Sequence, residues 1–464
     1  MSKVLKLIPG SIVAPKGFHA SGVFCDIKRL GTGKGSNKGN KRDLALIMSE
    51  VPATVAGMFT TNQICAAPVK ICAERVKRGK AQAIVVNSGN ANACTGERGM
   101  KDARTMTRIA AEAITEEGHL CVPLEYRTPE LVRLPEIFED DVLVGSTGRI
   151  GVTLPMPNVK SGIRHAAQLL GRDMSHANEA AEAIMTSDTR PKQIAVEFKL
   201  GGKTVRIGGI CKGAGMIQPG MSATGARPAA VPQGLHATML CFITTDAAIE
   251  AKTLQACLQE AVANSFNRIT VDGDMSTNDT VLVLANRLAG NAECGMRSAE
   301  LPKFQTALSH VCLELAKMIV RDGEGVTRFV TVRVEGAKTF ADADAAARGV
   351  ANSALVKTSW FGGDPNWGRI IDAIGYSAAT IVENKVDIGY SAPGSRKVRW
   401  SLKHGQPTKA TFKQLCATTA AKEFDLHIRL NLGTASALMY ASDLTEEYVE
   451  FNKGDVSDPA TLGG

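Results

Sequence analysis

Runs of β-branched and apolar residues alternate along this chain with amphipathic helical patterns, and that alternation restricts it to layered α/β structure with helices covering sheets. Strand-like runs fall at 43–48, 83–87, 141–145, 204–210, 238–244, 280–285 and 328–334, many of them bounded by Gly, Asn or Asp. Between them, 101–117, 161–172, 177–185, 252–265 and 306–321 read as helices. The clearest is the last, where Leu308, Val311, Cys312, Leu315, Met318 and Ile319 recur on one face. With 464 residues, two domains are the expectation.

Composition narrows the function classes. A net charge of +8 is modest for this length, and no basic helix or Lys/Arg stripe with interleaved aromatics suggests nucleic-acid binding. The most basic stretch, from Lys28 to Arg42, is rich in Gly and Asn and reads as a solvated loop. Within it Gly31-Thr32-Gly33-Lys34-Gly35-Ser36 fails as a phosphate loop, because Lys28 stands where the leading glycine belongs and Gly35 where Ser or Thr must follow the Gly-Lys pair. Eleven cysteines without a CxxC pair argue for reduced, mostly buried thiols, and the eight isolated histidines offer no metal spacing. No apolar run is long enough for a membrane helix and the N-terminus lacks signal-peptide features, so a soluble, cytoplasmic protein is expected, with neither metal nor organic cofactor.

One dipeptide carries a chemical possibility. Thr238 follows the small residue Ala237 and opens the run Met239-Leu240-Cys241-Phe242-Ile243-Thr244-Thr245-Asp246-Ala247. A threonine hydroxyl needs an adjacent base to act as a nucleophile, and an N-terminal α-amine freed by cleavage of the preceding bond is one such base. Taken alone, the dipeptide favours an ordinary strand threonine at Thr238, and a second Ala-Thr pair, Ala223-Thr224, lies upstream. His236, two residues before Thr238, reads as a loop residue.

Eight segments, in order, resemble the glutamate N-acetyltransferase (ornithine acetyltransferase) family of arginine biosynthesis. They are Asn87-Ser88-Gly89-Asn90-Ala91-Asn92-Ala93, Gly145-Ser146-Thr147-Gly148, Thr186-Ser187-Asp188-Thr189-Arg190-Pro191-Lys192, Lys212-Gly213-Ala214-Gly215-Met216-Ile217, residues 237–247, residues 272–280, Gly323-Glu324-Gly325-Val326-Thr327 and Gly363-Asp364-Pro365-Asn366-Trp367-Gly368-Arg369. The resemblance covers nearly the whole chain. It implies a two-domain α/β fold with helices on mixed sheets and the active site between domains. It also implies self-cleavage between Ala237 and Thr238, giving an α chain of 1–237 and a β chain of 238–464 that assemble as α2β2. The implied reaction moves an acetyl group from N-acetylornithine to glutamate, through an acetyl-Thr238 intermediate, with acetyl-CoA as a further donor in some members. By this match Thr147 and Gly148 form the oxyanion hole, and Thr186, Lys212, Thr238, Glu324, Asn452 and Ser457 contact substrate. An N-terminal-nucleophile amidohydrolase or aminopeptidase, which delivers the acyl group to water, is the rival reading.

Two departures stand out. Residues 220–236, rich in Ala, Pro and Gly, read as a loop inserted just ahead of the cleavage site, where the family has a short connection. The chain also continues past Ser457 to Gly464, with Asn452-Lys453-Gly454-Asp455-Val456 in place of the family's usual ending.

Overall fold

The computed structural model describes residues 5–28, 41–117, 137–225, 239–292 and 299–453. Two mixed β-sheets organise them. The larger has ten strands. Its main path runs Lys6–Leu7, Lys192–Leu200, Lys203–Lys212, Leu240–Thr245, Thr280–Ala285, Leu44–Thr60, Lys80–Asn90 and Val142–Arg149, while Phe18–Val23 and Met221–Ser222 pair onto Leu44–Thr60. The central pair, Leu240–Thr245 and Thr280–Ala285, is parallel and in register from Leu240 opposite Thr280.

Period-2 alternation explains why these central strands read as continuous apolar runs. Leu240, Phe242, Leu282 and Leu284 enter one core, where they join Met106 and Ile109 of the helix Gly96–Glu117 and Val159 and Ile163 of the helix Met156–Gln168. Cys241, Ile243, Val281 and Val283 enter the opposite core, against Leu254 and Leu258 of Ala251–Ala263 and Leu308 and Leu315 of Leu301–Arg321. A strand covered on both faces has no polar side to show.

The smaller sheet orders seven strands as Ile269–Thr270, Ala435–Ser442, Phe329–Ala337, Glu423–Arg429, Asp387–Ser391, Arg399–Lys403 and Gln406–Pro407. Val330, Val332 and Val334 pack there with Ala343, Ala347, Trp360 and Ile370 from three helices in a third core. The chain returns from this sheet to the larger one through residues 271–279 and crosses to it again through 322–328. Both crossings matter below.

The predicted strands and helices all recur, 280–285 with the same ends and the others with shifted ones. The helix expected over 161–172 begins earlier, at Met156, because Pro157 suits a first helical turn. The strand expected over 43–48 extends to Thr60, past Pro52, with its pairing to Lys80–Asn90 shifting register between Met48 and Ala53. Residues 220–236 are not loop throughout: Met221–Ser222 is a strand paired with Phe59 and Thr60, and the rest of that segment from 226 on lies outside the described residues. Lys28 is not solvated either. The Asp43 carboxylate accepts the amides of Cys25, Ile27 and Lys28, which draws this turn inward until Lys28 is buried, with its ammonium donating to the Arg42 carbonyl at 2.6 Å. None of the nine described cysteines is in a disulfide, and five of them are buried. Among the described residues no helix is long and apolar enough to cross a membrane.

Candidate active site

Three strand ends meet where the Leu240–Thr245 strand begins. Lys212 closes the Lys203–Lys212 strand opposite Leu240, and Thr280 opens its own strand on the other side of Leu240. Thr238 and Ala237 lie outside the described residues, so the described strand begins with Met239, the next residue in the chain. The Met239 amide donates to Asp279 Oδ1 at 2.7 Å, and the Thr280 amide donates to the Met239 carbonyl at 3.1 Å.

Thr147 and Gly148 lie at the end of the Val142–Arg149 strand, which pairs in parallel with Ser88 and Gly89. Thr147 is fully buried, and its Oγ1 accepts from the Lys212 ammonium at 3.2 Å. Gly148 has φ +130°, and a Cβ there would stand 2.3 Å from the Gly89 carbonyl carbon, so only glycine fits. Asn278 fixes this strand end to the crossing 271–279 by donating to the carbonyls of Ser146 and Ala91 at 2.8 and 2.7 Å.

Lys212 is buried, and burial lowers its pKa against the opposing pull of Asp188, Glu324 and Asp279. An ammonium there is held by surrounding carboxylates and donates to the Thr147 hydroxyl. Asp188 is the hub. Its carboxylate accepts the Gly213 amide at 2.7 Å, the Thr186 amide at 2.9 Å and the Lys192 ammonium at 2.6 Å. Burial alone would raise its pKa, but the ammoniums of Lys192 and Lys212 hold it well below the usual carboxylate range. Lys192 also binds Asp322, at the end of the helix Leu301–Arg321, and Asp322 in turn accepts the Thr189 amide at 3.1 Å. A buried network thus links the segment of Thr186 to the turn of Glu324.

Glu324 sits half-buried in the second crossing. Its amide donates to the Ala214 carbonyl at 2.9 Å, and its Oε2 accepts from Asn452 Nδ2 at 2.9 Å. A Cβ on Gly215 would come within 2.3 Å of that carboxylate, so the backbone after Lys212 runs directly beneath it. Asn452 closes the short helix Glu446–Asn452, whose Tyr448 hydroxyl donates to Asp272 at 3.3 Å. Asp272 also accepts the amides of Met216 and Ile217 at 2.6 and 2.7 Å and holds Met216 in a left-handed conformation, φ +58°.

Of the residues singled out in the sequence, Thr147, Gly148, Thr186, Lys212, Glu324 and Asn452 converge, while Ala237, Thr238, Ser457 and His236 lie outside the described residues. Sequence reasoning gave no role to Asp188, Lys192, Asp272, Asp279, Asp322 or Tyr448. Several sit in the quoted segments, and the signal was there: carboxylates in Gly-, Ser- and Thr-rich turns, where a side chain that satisfies backbone amides shapes the loop. An arrangement of a buried cation, a hydroxyl and a close-approaching glycine amide at one end, and a carboxylate with an amide at the other, suits an acyl carbonyl and a zwitterionic amino acid.

A profile of the ArgJ family matches residues 28–454. The chain belongs to the ArgJ family. It is 44% identical over 448 residues to the arginine biosynthesis bifunctional protein ArgJ of Symbiobacterium thermophilum, covering 97% of this chain and 99% of that one. It is 44% identical over 455 residues to the glutamate N-acetyltransferase of Methanocaldococcus jannaschii, with the same coverage. Among solved structures, the ornithine acetyltransferase complexed with ornithine from Mycobacterium tuberculosis is 34% identical and matches 47% of this chain and all of that chain, with a TM-score of 0.39. Membership in the ArgJ family makes this an acyltransferase-type enzyme of arginine biosynthesis.

Proposed function

We propose that this ArgJ-family chain transfers the acetyl group of N-acetylornithine to glutamate through an acetyl-Thr238 intermediate. The observation that carries the reading is the convergence of Lys212, Thr147 and Gly148 on the strand end that continues directly from Thr238.

The chemistry follows from that arrangement. Cleavage between Ala237 and Thr238 frees an amine that takes the proton of the Thr238 hydroxyl as it attacks the acetyl carbonyl. Negative charge then develops on the acetyl oxygen, where the Thr147 hydroxyl and the Gly148 amide serve as fixed donors. Lys212 pairs with the substrate carboxylate, Glu324 with the ammonium end, and Thr186 and Asn452 complete the polar lining, together with Ser457. Ornithine leaves, glutamate enters the same site, and its amine takes the acetyl group. Free threonine is regenerated in each cycle, so ping-pong kinetics are expected.

Thr238 is preferred over Thr224 as the nucleophile. Thr224 is exposed and follows the Met221–Ser222 strand on the flank of the Leu44–Thr60 strand, whereas the residue after Thr238 is held at the Lys212 end of the central strands. The cut gives chains 1–237 and 238–464, read as an α2β2 assembly in the cytoplasm. Measuring N-acetylornithine consumption with and without glutamate tests the transfer. Acetyl release that depends on glutamate is expected, and turnover indifferent to glutamate would instead support hydrolysis by an N-terminal-nucleophile amidohydrolase. Acetyl-CoA with glutamate, assayed alongside, tests the second donor.

A further inference from the structure

Before cleavage the base that later serves Thr238 does not exist. Its nitrogen is then part of a peptide bond, with the lone pair delocalised into the Ala237 carbonyl, and accepts no proton at ordinary pH. The step that frees the amine needs another proton acceptor, one that also returns the proton to the departing nitrogen.

Asp279 is anchored at Met239, the residue that follows Thr238 in the chain. It ends the crossing 271–279 and is fully buried. Its Oδ1 accepts the Met239 amide at 2.7 Å, which is the nitrogen bonded to the Thr238 carbonyl, so only a few covalent bonds separate its anchor from the Thr238 hydroxyl. Its Oδ2 is buried and, among the described residues, has no hydrogen-bond partner. A bare buried carboxylate oxygen is costly to keep, and such atoms call for an explanation in function or in a group not yet counted. The strand register prevents the carboxylate from drifting, since Thr280 pairs with Leu240 and donates to the Met239 carbonyl.

Burial also favours proton uptake by this carboxyl. Burial pushes its pKa well above the usual range, with the Met239 amide, the Lys212 ammonium and the Ser276 amide opposing. Lys212 is the charged group facing it. A carboxylate whose ionised form is disfavoured by burial is a stronger base toward a neighbouring hydroxyl. Lys212 itself is engaged at Thr147, on the oxyanion side of the site.

We propose that Asp279 Oδ2 carries the proton during self-cleavage of the Ala237–Thr238 bond, an assignment that rests on Thr238 being the nucleophile. Oδ2 takes the Thr238 hydroxyl proton as Oγ1 bonds to the Ala237 carbonyl carbon. The same proton passes to the Thr238 nitrogen as the carbon–nitrogen bond breaks, which leaves an ester and a free amine, with Asp279 again ionised. Water then adds to the ester carbon, the carbon–Oγ1 bond breaks, and one water proton returns to Oγ1 as Ala237 leaves as a carboxylic acid.

The test follows conversion of full-length chain to two products by denaturing electrophoresis, with N-terminal sequencing of the second, in wild type, Thr238→Ala and Asp279→Asn. Asparagine keeps an oxygen for the Met239 amide and removes only the titrating group. The wild type is expected to be cut at Thr238 with a rate that rises with pH and then levels, Thr238→Ala not at all, and Asp279→Asn at least about a hundredfold more slowly without that rise. A wild type cut elsewhere or not at all overturns the Thr238 reading itself and this proposal with it. A wild type cut at Thr238 beside an Asp279→Asn protein cut at the same rate, with the same pH profile, overturns only the role of Asp279. Should Asp279→Asn melt far below the uncleaved Thr238→Ala chain, the wild-type pH profile decides: a single ionisation supports the proposal and a flat profile overturns it.

Discussion

Lys192 and Asp322, 130 positions apart in the chain, form an ion pair in which both side chains are almost wholly buried. Asp188 completes it from the other side, and through Gly213 and Thr186 the pair reaches the turn after Lys212. Replacing Lys192 by Met strands two carboxylates in the interior and should cost about 3–5 kcal/mol in urea unfolding. Replacing Lys192, Asp188 and Asp322 together by apolar residues should cost much less, because no uncompensated charge remains. Similar losses in both would show that the network contributes through shape instead of charge.

The same network sets an acid limit. Asp188 has a folded-state pKa held below its unfolded value, so its contribution is present above the unfolded pKa and is lost as pH falls through the folded one. Stability measured by thermal unfolding should therefore fall below about pH 4, the ordinary aspartate range. Lys192 has its pKa raised by Asp188 and Asp322 against the lowering effect of burial, so its contribution is complete below about pH 10 and declines only above it. In Asp188→Asn the acid loss between about pH 4 and pH 2 should be shallower.

Lys212 predicts an alkaline limit on binding. Burial lowers its pKa, so its ammonium is lost at lower pH than that of an ordinary lysine, and the KM for glutamate should rise on the alkaline side, below about pH 10. Lys212→Arg, which stays charged, should move that rise upward or remove it. An unchanged alkaline limb in Lys212→Arg would detach Lys212 from carboxylate binding.

Thr147→Val keeps the branched shape and removes the hydroxyl. Loss of one oxyanion donor should lower kcat about 10²–10³-fold with little change in KM. Gly148→Ala should be worse, since its Cβ would meet the Gly89 carbonyl carbon and the Asn90 nitrogen at 2.3 and 2.5 Å, and the Ser88–Asn90 pairing would open. A Thr147→Val enzyme with wild-type kcat would remove the hydroxyl from the mechanism.

Cleavage specificity separates the two Ala-Thr pairs. Thr238→Ala should abolish both cleavage and transfer, whereas Thr224→Ala should still yield chains of 237 and 227 residues. Edman sequencing of the second chain reads the answer directly, and an N-terminus at Thr224 would move the nucleophile there.

Much of the fold was legible because burial on both faces writes itself into the chain: after Thr280 the strand Thr280–Ala285 is wholly apolar for that reason, and the helix Leu301–Arg321 carries an uninterrupted stripe. The Leu44–Thr60 strand was read short because Glu50, Val51 and Pro52 interrupt its pattern, and only pairing with two neighbours restores it. Ordered motifs located Thr147, Lys212 and Glu324. Buried ion partners were less visible, because nothing in the local sequence of Asp322 announces a lysine 130 positions earlier. Lys28 illustrates the same limit: its surroundings look solvated, and Asp43, brought beside it by the fold, makes them interior.

The Leu240–Thr245 strand is flanked by Lys203–Lys212 on one edge and Thr280–Ala285 on the other. A chain broken just ahead of it should keep its halves together, for each half on its own would carry away a raw sheet edge lined with residues that belong in a core. The proposed cut would therefore be a chemical event without a mechanical one. Two such halves should behave as a single woven object, and co-expression of 1–237 with 238–464, each unable to close its own sheet, is the condition under which either should be recovered.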